Sequence, residues 1–267
     1  MDSTFLKWAG GKNWFVKHQI DRIPQQYNRY IDPFLGGGSL YFYLEPQQAI
    51  INDINEELMM TFQAIKDNWQ GVERNLKIHA RKHSQEYYYL MRKKRTLKDT
   101  TTAARMIYLN RTCFNGIYRV NTKGEFNVPI GTHTNVLLPT DEFQKRSNIL
   151  QNTCVMCGDF EPVINMAGHN DFLFCDPPYA VINEDHRFVG YTQQTFNWND
   201  QIRLAHALER ARSRGTKIIM TNVNHPQIIK LYPHDRFLLE EVTRFSSIAG
   251  GKKGRQQYSE LIVSANI

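Results

Sequence analysis

Residues 30–53 read YIDPFLGGGSLYFYLEPQQAIIND, and this stretch decides the fold. It predicts a short strand at 30–34, a tight turn at Gly36-Gly37-Gly38, a helix that Ser39 can cap, and a second strand at 49–53. Glycines in such a turn let the backbone approach a ligand, and the acid that ends the second strand can accept hydrogen bonds from ribose hydroxyls. The order is that of a nucleoside-binding βαβ unit. Its spacing is a little short of the dinucleotide fingerprint, and Gly-Gly-Gly-Ser does not match G-x-G-x-x-G, which argues against NAD.

The rest of the chain alternates between helical and strand patterns around one long interruption. Residues 54–112 carry apolar residues at helical spacing, with a break near Gly71, and residues 113–128 change to short β-like pieces with turn signals. Further strands are expected at 153–157, 171–175, 216–222, 237–245 and 258–265, with a helix from 199 to Arg214 that Gly215 ends. The sequence thus predicts a doubly wound α/β fold interrupted by a helical, hairpin-bearing insertion.

Length and cysteine content limit the class of protein. The 267 residues suffice for one large α/β domain with an insertion, or for two modest domains. No signal peptide or 18-residue apolar window is evident, so we expect a cytoplasmic protein without a membrane partner. Cys154 and Cys157 form a C-x-x-C pair, but no second pair and no histidine pair accompanies it. We therefore expect no metal, and buried free thiols in a reducing compartment.

The basic charge of the chain is concentrated in one segment. The formal net charge is +7, yet residues 60–145 hold 15 Lys and Arg against 7 Asp and Glu, whereas the remainder holds 18 against 19. A solvated helical face would explain a local run such as Arg92-Lys93-Lys94-Arg95. Enrichment over the whole segment, interleaved with aromatic residues, favours a polyanionic partner such as nucleic acid.

A second motif, Asp176-Pro177-Pro178-Tyr179, directly follows the apolar run 172–175. The motif is suited to placing a methyl group on a planar amino nitrogen such as N6 of adenine. That amine is a poor nucleophile because its lone pair is delocalised into the ring, so a catalyst must hold the nitrogen while the lone pair localises. The Asp176 carboxylate and a backbone carbonyl of the Pro-Pro stretch can accept the two amino hydrogens, and Tyr179 can stack on the base. The alternative is an ordinary turn in which Asp176 has no catalytic part.

Together these pieces resemble the Dam-type DNA adenine methyltransferases of the D12 class, which transfer a methyl group from S-adenosylmethionine to N6 of adenine in GATC. The resemblance runs along nearly the whole chain. Residues 5–12, FLKWAGGK, match the N-terminal cofactor motif of the family. Residues 32–39 match its glycine loop, and Asn52-Asp53-Ile54-Asn55 matches its ribose-binding motif. The implied cofactor-binding residues are Trp8, Lys12, Phe34, Gly36, Gly38, Asp53 and Asp176, and the implied catalytic motif is Asp176, Pro177, Pro178 and Tyr179.

Residues 110–129, NRTCFNGIYRVNTKGEFNVP, resemble the recognition hairpin of the GATC enzymes. The match implies that Arg119 reads guanine, since arginine can grip O6 and N7 together in the major groove. It also implies that Asn115, Ile117 and Pro129 contact neighbouring bases and that Phe114 wedges into the stack as adenine leaves. The alternative is a hairpin whose arginine meets phosphate only.

Two further segments are expected to serve the same reaction. Residues 246–255 resemble a basic loop of the family, in which Lys252, Lys253 and Arg255 hold DNA phosphates around the flipped nucleotide. A hairpin tip without a DNA role is the alternative. Residues 185–197 carry several aromatic side chains and are expected to close over the adenine pocket.

The resemblance implies a Rossmann-like S-adenosylmethionine-dependent methyltransferase. Its catalytic domain would comprise residues 1–55 and 146–267, and its target-recognition domain residues 56–145. The expected reaction is methylation of adenine N6 in double-stranded DNA, in GATC, by base flipping, with S-adenosylmethionine as methyl donor. Amino-group methylation of RNA or protein, cytosine N4 methylation, and a catalytically silent DNA-binding protein stay open as alternatives. The sequence does not reveal whether a companion restriction endonuclease, and so a restriction-modification role, exists.

Overall fold

The structure is a computed structural model that describes residues 4–96, 98–121, 124–179, 181–182, 188–189, 196–245 and 257–267. The chain forms two compact units, of which unit 1 comprises residues 1–22 and 35–158, and unit 2 comprises residues 23–34 and 159–267. The division into catalytic and target-recognition domains at residues 56 and 145 is a functional one and stays a prediction.

In chain order, the described helices and strands are α1 (Asn13–His18), β1 (Tyr30–Asp32), α2 (Ser39–Leu44), β2 (Ala49–Asp53), α3 (Glu56–Lys82), α4 (Gln85–Lys93), α5 (Asp99–Thr112), α6 (Phe143–Leu150), β3 (Thr153–Cys157), α7 (Phe160–Asn165), β4 (Phe172–Cys175), β5 (Val181–Ile182), β6 (Phe188–Val189), α8 (Trp198–Ser213), β7 (Lys217–Val223), α9 (Pro226–Ile229), β8 (Leu238–Phe245) and β9 (Gln257–Ala265). This alternation confirms the predicted α/β fold class. Among the described residues, no helix is long and apolar enough to cross a membrane.

Unit 1 combines a parallel strand pair with a layer of helices. Strands β2 and β3 pair in parallel from Ala49 opposite Thr153 to Asp53 opposite Cys157. Helix α3 begins after Asn55, whose side chain accepts a hydrogen bond from the Leu58 amide, and α3 packs along α5. The predicted break near Gly71 is a kink at Asn68, whose side chain accepts the Gly71 N–H at 2.9 Å.

Unit 2 is built on a mixed sheet with strand order β1-β4-β7-β9-β8. Strands β1, β4 and β7 run parallel, whereas β9 is antiparallel to β7 and β8. Every residue of β1 and β4 is buried, which explains the continuous apolar run of β4. Because parallel strands end at the same edge of a sheet, the residues that follow β1, β4 and β7 share that edge, where α/β proteins bind ligands.

The structure corrects three local predictions. Ser39 does not cap α2, because Gly38 in the left-handed conformation (φ 70°) precedes the helix and Ser39 is its first residue. The predicted β-like pieces at 113–128 are interrupted by a 3-10 helix (Phe114–Gly116), since Asn115 and Gly116 both have positive φ and bend the chain. A short antiparallel pairing remains at the bridge between Val120 and Phe126, where the Asn127 N–H donates to the Arg119 carbonyl at 3.1 Å.

The third correction concerns the thiols. Cys113 and Cys175 are buried as predicted, but Cys154 and Cys157 are exposed. Both exposed thiols lie on β3, which pairs only with β2 among the strands of unit 1 that are described. An edge strand leaves part of its side chains in solvent, so an apolar pattern does not guarantee burial there.

Candidate active site

The glycine loop of unit 1 lies directly against the indole of Trp8. Gly36 and Gly38 have φ of +53° and +70°, a region that favours glycine. A Cβ added to Gly36 would stand 2.9 Å from Cδ1 of Trp8, and one added to Gly37 would stand 2.9 Å from its Cβ. The loop therefore needs glycine both for its backbone conformation and for close approach to Trp8, and three of the predicted cofactor residues come together here.

Asp53, at the carboxyl end of β2, is held by the backbone of two loops. Its Oδ2 accepts the Gly36 N–H at 3.0 Å, and its Oδ1 accepts the Asn55 N–H at 3.0 Å. Burial raises the pKa of Asp53 above its ordinary value, although the backbone hydrogen bonds from Asn55 and Gly36 act in the opposite direction. The Ile54 amide acts on the pKa in the same direction as those of Asn55 and Gly36. A carboxylate held in this way at the carboxyl end of a strand is the type of acceptor that fits ribose hydroxyls.

Lys12 is buried, with 6% of its surface exposed, which is unusual for a lysine. It follows a turn in which the Gly11 N–H donates to the Trp8 carbonyl at 3.2 Å and Gly10 has a φ of +78°. Its Nζ donates to the Gly10 carbonyl at 3.5 Å. Lys12 is therefore not a solvated surface charge.

Phe34 belongs to unit 2 and forms an aromatic cluster there. Its ring centroid lies 5.3 Å from that of Phe160 and 5.7 Å from that of Phe196, and its amide donates to Oδ1 of Asp32 at 3.1 Å. Phe160 carries no motif signal in the sequence, and contact with Phe34 is what draws attention to it. Residues 185–187 and 190–195, most of the segment predicted to close over the adenine pocket, lie outside the described residues.

The catalytic motif follows β4, and Asp176 is held by a buried hydroxyl. The Thr221 Oγ1 donates to the Asp176 Oδ1 at 2.8 Å, and Thr221 on β7 is fully buried. Cys175 and Met220 are opposite each other in the parallel register of β4 and β7, so Asp176 and Thr221 are the next pair along. A buried hydroxyl that donates to one oxygen of Asp176 restricts the rotation of the carboxylate.

A second buried pair holds the Pro-Pro stretch. The Gln201 Nε2 donates to the Pro178 carbonyl at 3.3 Å, and the Gln201 Oε1 accepts from the Asn222 Nδ2 at 3.1 Å. Gln201 and Asn222 are fully buried. Sequence reasoning missed Thr221, Gln201 and Asn222. The available signal was the polar pair Thr221-Asn222 within the apolar strand β7.

The predicted DNA-reading residues of unit 1 are largely exposed. Phe114 is 54% exposed, and Asn115, Arg119 and Pro129 are exposed as well, whereas Ile117 is half-buried. Their exposure leaves these side chains accessible to a partner. Arg119 is oriented by its neighbour across the bridge, because its Nε donates to the Asn127 Oδ1 at 2.9 Å. Lys252, Lys253 and Arg255 lie outside the described residues.

Comparison with known proteins assigns the chain to a family. Residues 8–248 match the family described as D12 class N6 adenine-specific DNA methyltransferase. The chain is 35% identical to the Type II methyltransferase M1.LlaDCHI of Lactococcus lactis subsp. cremoris, over 97% of this chain and 94% of that protein. It is also 35% identical to the Type II methyltransferase M.MjaIII of Methanocaldococcus jannaschii, over 97% of this chain and 98% of that protein. It is 30% identical to the DNA adenine methylase of Haemophilus influenzae, over 97% of this chain and 92% of that protein. The chain therefore belongs to the D12 class of N6 adenine-specific DNA methyltransferases, a family whose activity implies S-adenosylmethionine as the methyl donor.

Proposed function

We propose that this DNA adenine methyltransferase acts on the adenine of GATC, after that base has been flipped out of the double helix. The observation that carries the catalytic part is the hydrogen bond from Thr221 that orients Asp176 within the Asp-Pro-Pro-Tyr motif. A base inside a duplex cannot be reached by an enzyme, so extrusion precedes the reaction in enzymes that modify bases.

Asp176 and the Pro177 carbonyl accept the two amino hydrogens of adenine in this proposal. The Pro178 carbonyl already accepts from Gln201, which favours Pro177 as the second acceptor. Two fixed acceptors hold N6 while its lone pair localises, and Tyr179 stacks on the base. When bound, S-adenosylmethionine would supply the methyl group: the bond from sulfur to the methyl carbon would break as the bond from N6 to that carbon forms, S-adenosylhomocysteine would be the leaving group, and an N6 proton would pass to water. Positioning and electrostatics then supply most of the rate enhancement, without a metal.

Unit 1 supplies the cofactor contacts in this proposal. Asp53 accepts hydrogen bonds from the ribose hydroxyls, in keeping with its position at the carboxyl end of β2, where the Gly36 and Asn55 amides orient its carboxylate. The other cofactor contacts in unit 1 are made by Trp8, Lys12, Gly36 and Gly38. Phe34 and Asp176, which belong to unit 2, are the remaining predicted cofactor residues, and their assignment rests on the sequence resemblance alone.

The exposed segment around Arg119 reads the target. Arg119 grips O6 and N7 of guanine, and its bond to Asn127 supports a fixed approach. Asn115, Ile117 and Pro129 contact neighbouring bases, and Phe114 fills the space that the flipped adenine leaves. The exposure of Phe114 and Arg119 supports these roles. Lys252, Lys253 and Arg255 hold phosphates, which rests on the sequence resemblance alone.

Labelled S-adenosylmethionine tests both parts of the proposal. The wild-type enzyme, Asp176→Ala and Arg119→Ala are incubated with duplexes that carry GATC or single-base variants of it. Asp176→Ala should abolish methyl transfer and keep DNA affinity. Arg119→Ala should lose about 1–3 kcal/mol of discrimination at guanine. Arg95→Ala, which removes an exposed arginine of the same basic segment, should weaken binding to all duplexes equally.

The outcomes separate the claims. Equal labelling of every duplex by the wild-type enzyme would contradict GATC recognition and leave the family activity intact. An unchanged base preference in Arg119→Ala would assign Arg119 to phosphate alone. Full activity of Asp176→Ala would contradict the catalytic role of the motif.

A further inference from the structure

Tyr118 lies in the sequence between two predicted base-contacting residues, Ile117 and Arg119, but its side chain contacts Trp8 and Glu57 instead. Its ring stacks on the indole of Trp8, with centroids 5.2 Å apart and an interplanar angle of 22°. Trp8 belongs to the cofactor motif and packs against Gly36 of the glycine loop. Within unit 1, Tyr118 of the predicted recognition segment (residues 110–129) therefore contacts Trp8 of the predicted cofactor motif (residues 5–12).

The hydroxyl of Tyr118 makes a second connection to the cofactor side. It donates to Oε2 of Glu57 at 3.0 Å, in the first turn of α3. Glu57 is itself fixed, because its Oε1 accepts from the Arg105 NH1 at 2.6 Å. The helix that carries Glu57 begins at Asn55, whose amide donates to Asp53. Tyr118 thus contacts Trp8 of the N-terminal cofactor motif and Glu57, which lies two residues after the ribose-binding motif.

Asn110 joins the same two regions through backbone groups. Its Oδ1 accepts the Lys7 N–H at 2.9 Å, and its Nδ2 donates to the Lys7 carbonyl at 2.8 Å and to the Gly116 carbonyl at 3.3 Å. Asn110 is fully buried. The Asn110 side chain therefore links the backbone of Lys7, directly before Trp8, to that of Gly116, directly before Ile117. A shift of either segment would break these hydrogen bonds.

We propose that Tyr118 is a positioning residue that couples cofactor binding to recognition of the target sequence. A bound cofactor that contacts Trp8 would restrict the motion of its indole, on which Tyr118 stacks. The restricted position of Tyr118 would in turn order the backbone that presents Ile117 and Arg119 to the bases. Coupling of this kind is reciprocal, so a cognate duplex must tighten cofactor binding by the same factor. The inference rests on the proposed function, since it assumes that the recognition segment reads bases.

A purely structural role for Tyr118 makes a different prediction. Loss of packing would lower the stability of the fold and weaken the binding of cofactor and of DNA independently. The ratio of the cofactor affinity with the cognate duplex to the cofactor affinity without DNA would then not change. That ratio is therefore the quantity to measure, rather than activity or either affinity alone.

The experiment titrates S-adenosylhomocysteine, which cannot donate a methyl group, into the full-length enzyme by calorimetry. Each titration is done without DNA, with the duplex that the wild-type enzyme methylates fastest, and with a duplex that it does not methylate. The wild-type dissociation constant should fall at least fivefold with the cognate duplex only, the lower end of typical coupling. Tyr118→Leu should reduce that ratio to below twofold. Tyr118→Phe, which keeps the stack and loses the bond to Glu57, should give an intermediate ratio.

Tyr43→Leu is the matched control, because Tyr43 is an exposed tyrosine of unit 1. It should retain the wild-type ratio. A wild-type ratio of one, or an undiminished ratio in both Tyr118 variants, would overturn the coupling. Methyl transfer by the same wild-type preparation separates this result from failure of the proposed function. Transfer with a ratio of one rejects the coupling alone, whereas absence of both transfer and cofactor binding rejects the proposed function as well.

Discussion

Replacement of Thr221 by valine removes one hydrogen bond from Asp176 and changes little else. Valine has nearly the shape of threonine, and Thr221 is fully buried, so Thr221→Val deletes the Oγ1 donor that lies 2.8 Å from the Asp176 Oδ1. A hydrogen bond to a charged group contributes about 1.5–3 kcal/mol. Because each 1.36 kcal/mol of barrier is a factor of ten in rate, the expected loss in kcat is about 10- to 150-fold if the bond is needed to orient the carboxylate.

Single-turnover transfer of labelled methyl groups to a saturating duplex measures this loss directly. Thr216→Val is the matched control, because Thr216 is also fully buried in unit 2 and donates its hydroxyl to the Gly168 carbonyl at 2.9 Å. Thr216→Val should lower the free energy of unfolding about as much as Thr221→Val does, and it should leave the rate of methyl transfer unchanged. A rate for Thr221→Val within twofold of wild type, or an equal decrease in Thr216→Val, would refute the reasoning.

Two further predictions concern stability. Burial lowers the pKa of His79 from 6.5 to about 4, so between these values the unfolded chain binds more protons and the free energy of unfolding falls as pH falls. The loss at pH 5 relative to pH 7 should be about 2 kcal/mol in urea titrations, and His79→Gln should lack that part of the pH dependence. Arg111→Met should cost about 3–5 kcal/mol, because it leaves the buried carboxylate of Asp141 without its partner, whereas Lys145→Ala, which breaks an exposed pair with Glu45, should cost less than about 1 kcal/mol. Equal costs for these two substitutions, or a His79→Gln profile that matches wild type, would contradict the respective prediction.

The parts of the site that sequence predicts are those whose signal is local. Asp53 ends a short apolar run, and Asp176 directly follows another. A strand pattern followed by an acid already implies a carboxylate at the ligand-binding edge of an α/β sheet, since the edge is defined by where the strands end. The positive φ values at Gly36 and Gly38 are likewise implied by the residue type.

The parts that sequence does not predict depend on strand register between distant residues. Thr221 is 45 positions from Asp176, and Gln201 is 21 positions from Asn222. In the sequence, the pair Thr221-Asn222 only interrupts an apolar strand. The parallel pairing of β4 with β7 turns that interruption into support for the catalytic motif. The exposure of Cys154 was missed for a related reason, because position at the edge of a sheet is a property of the fold and not of the strand's own residues.

The electrostatics around Cys175 bear on the type of chemistry that unit 2 supports. Cys175 is fully buried, and burial together with the charges of Asp32 and Asp176 raises the pKa of its thiol well above the ordinary value. Since the thiolate is the nucleophilic form, this environment makes Cys175 a poor nucleophile. The same two carboxylates have the opposite effect on positive charge, which they stabilise. This edge of the sheet thus disfavours an anionic protein nucleophile and favours an amine that gains positive charge as it is alkylated, which is the charge change of direct methyl transfer to N6.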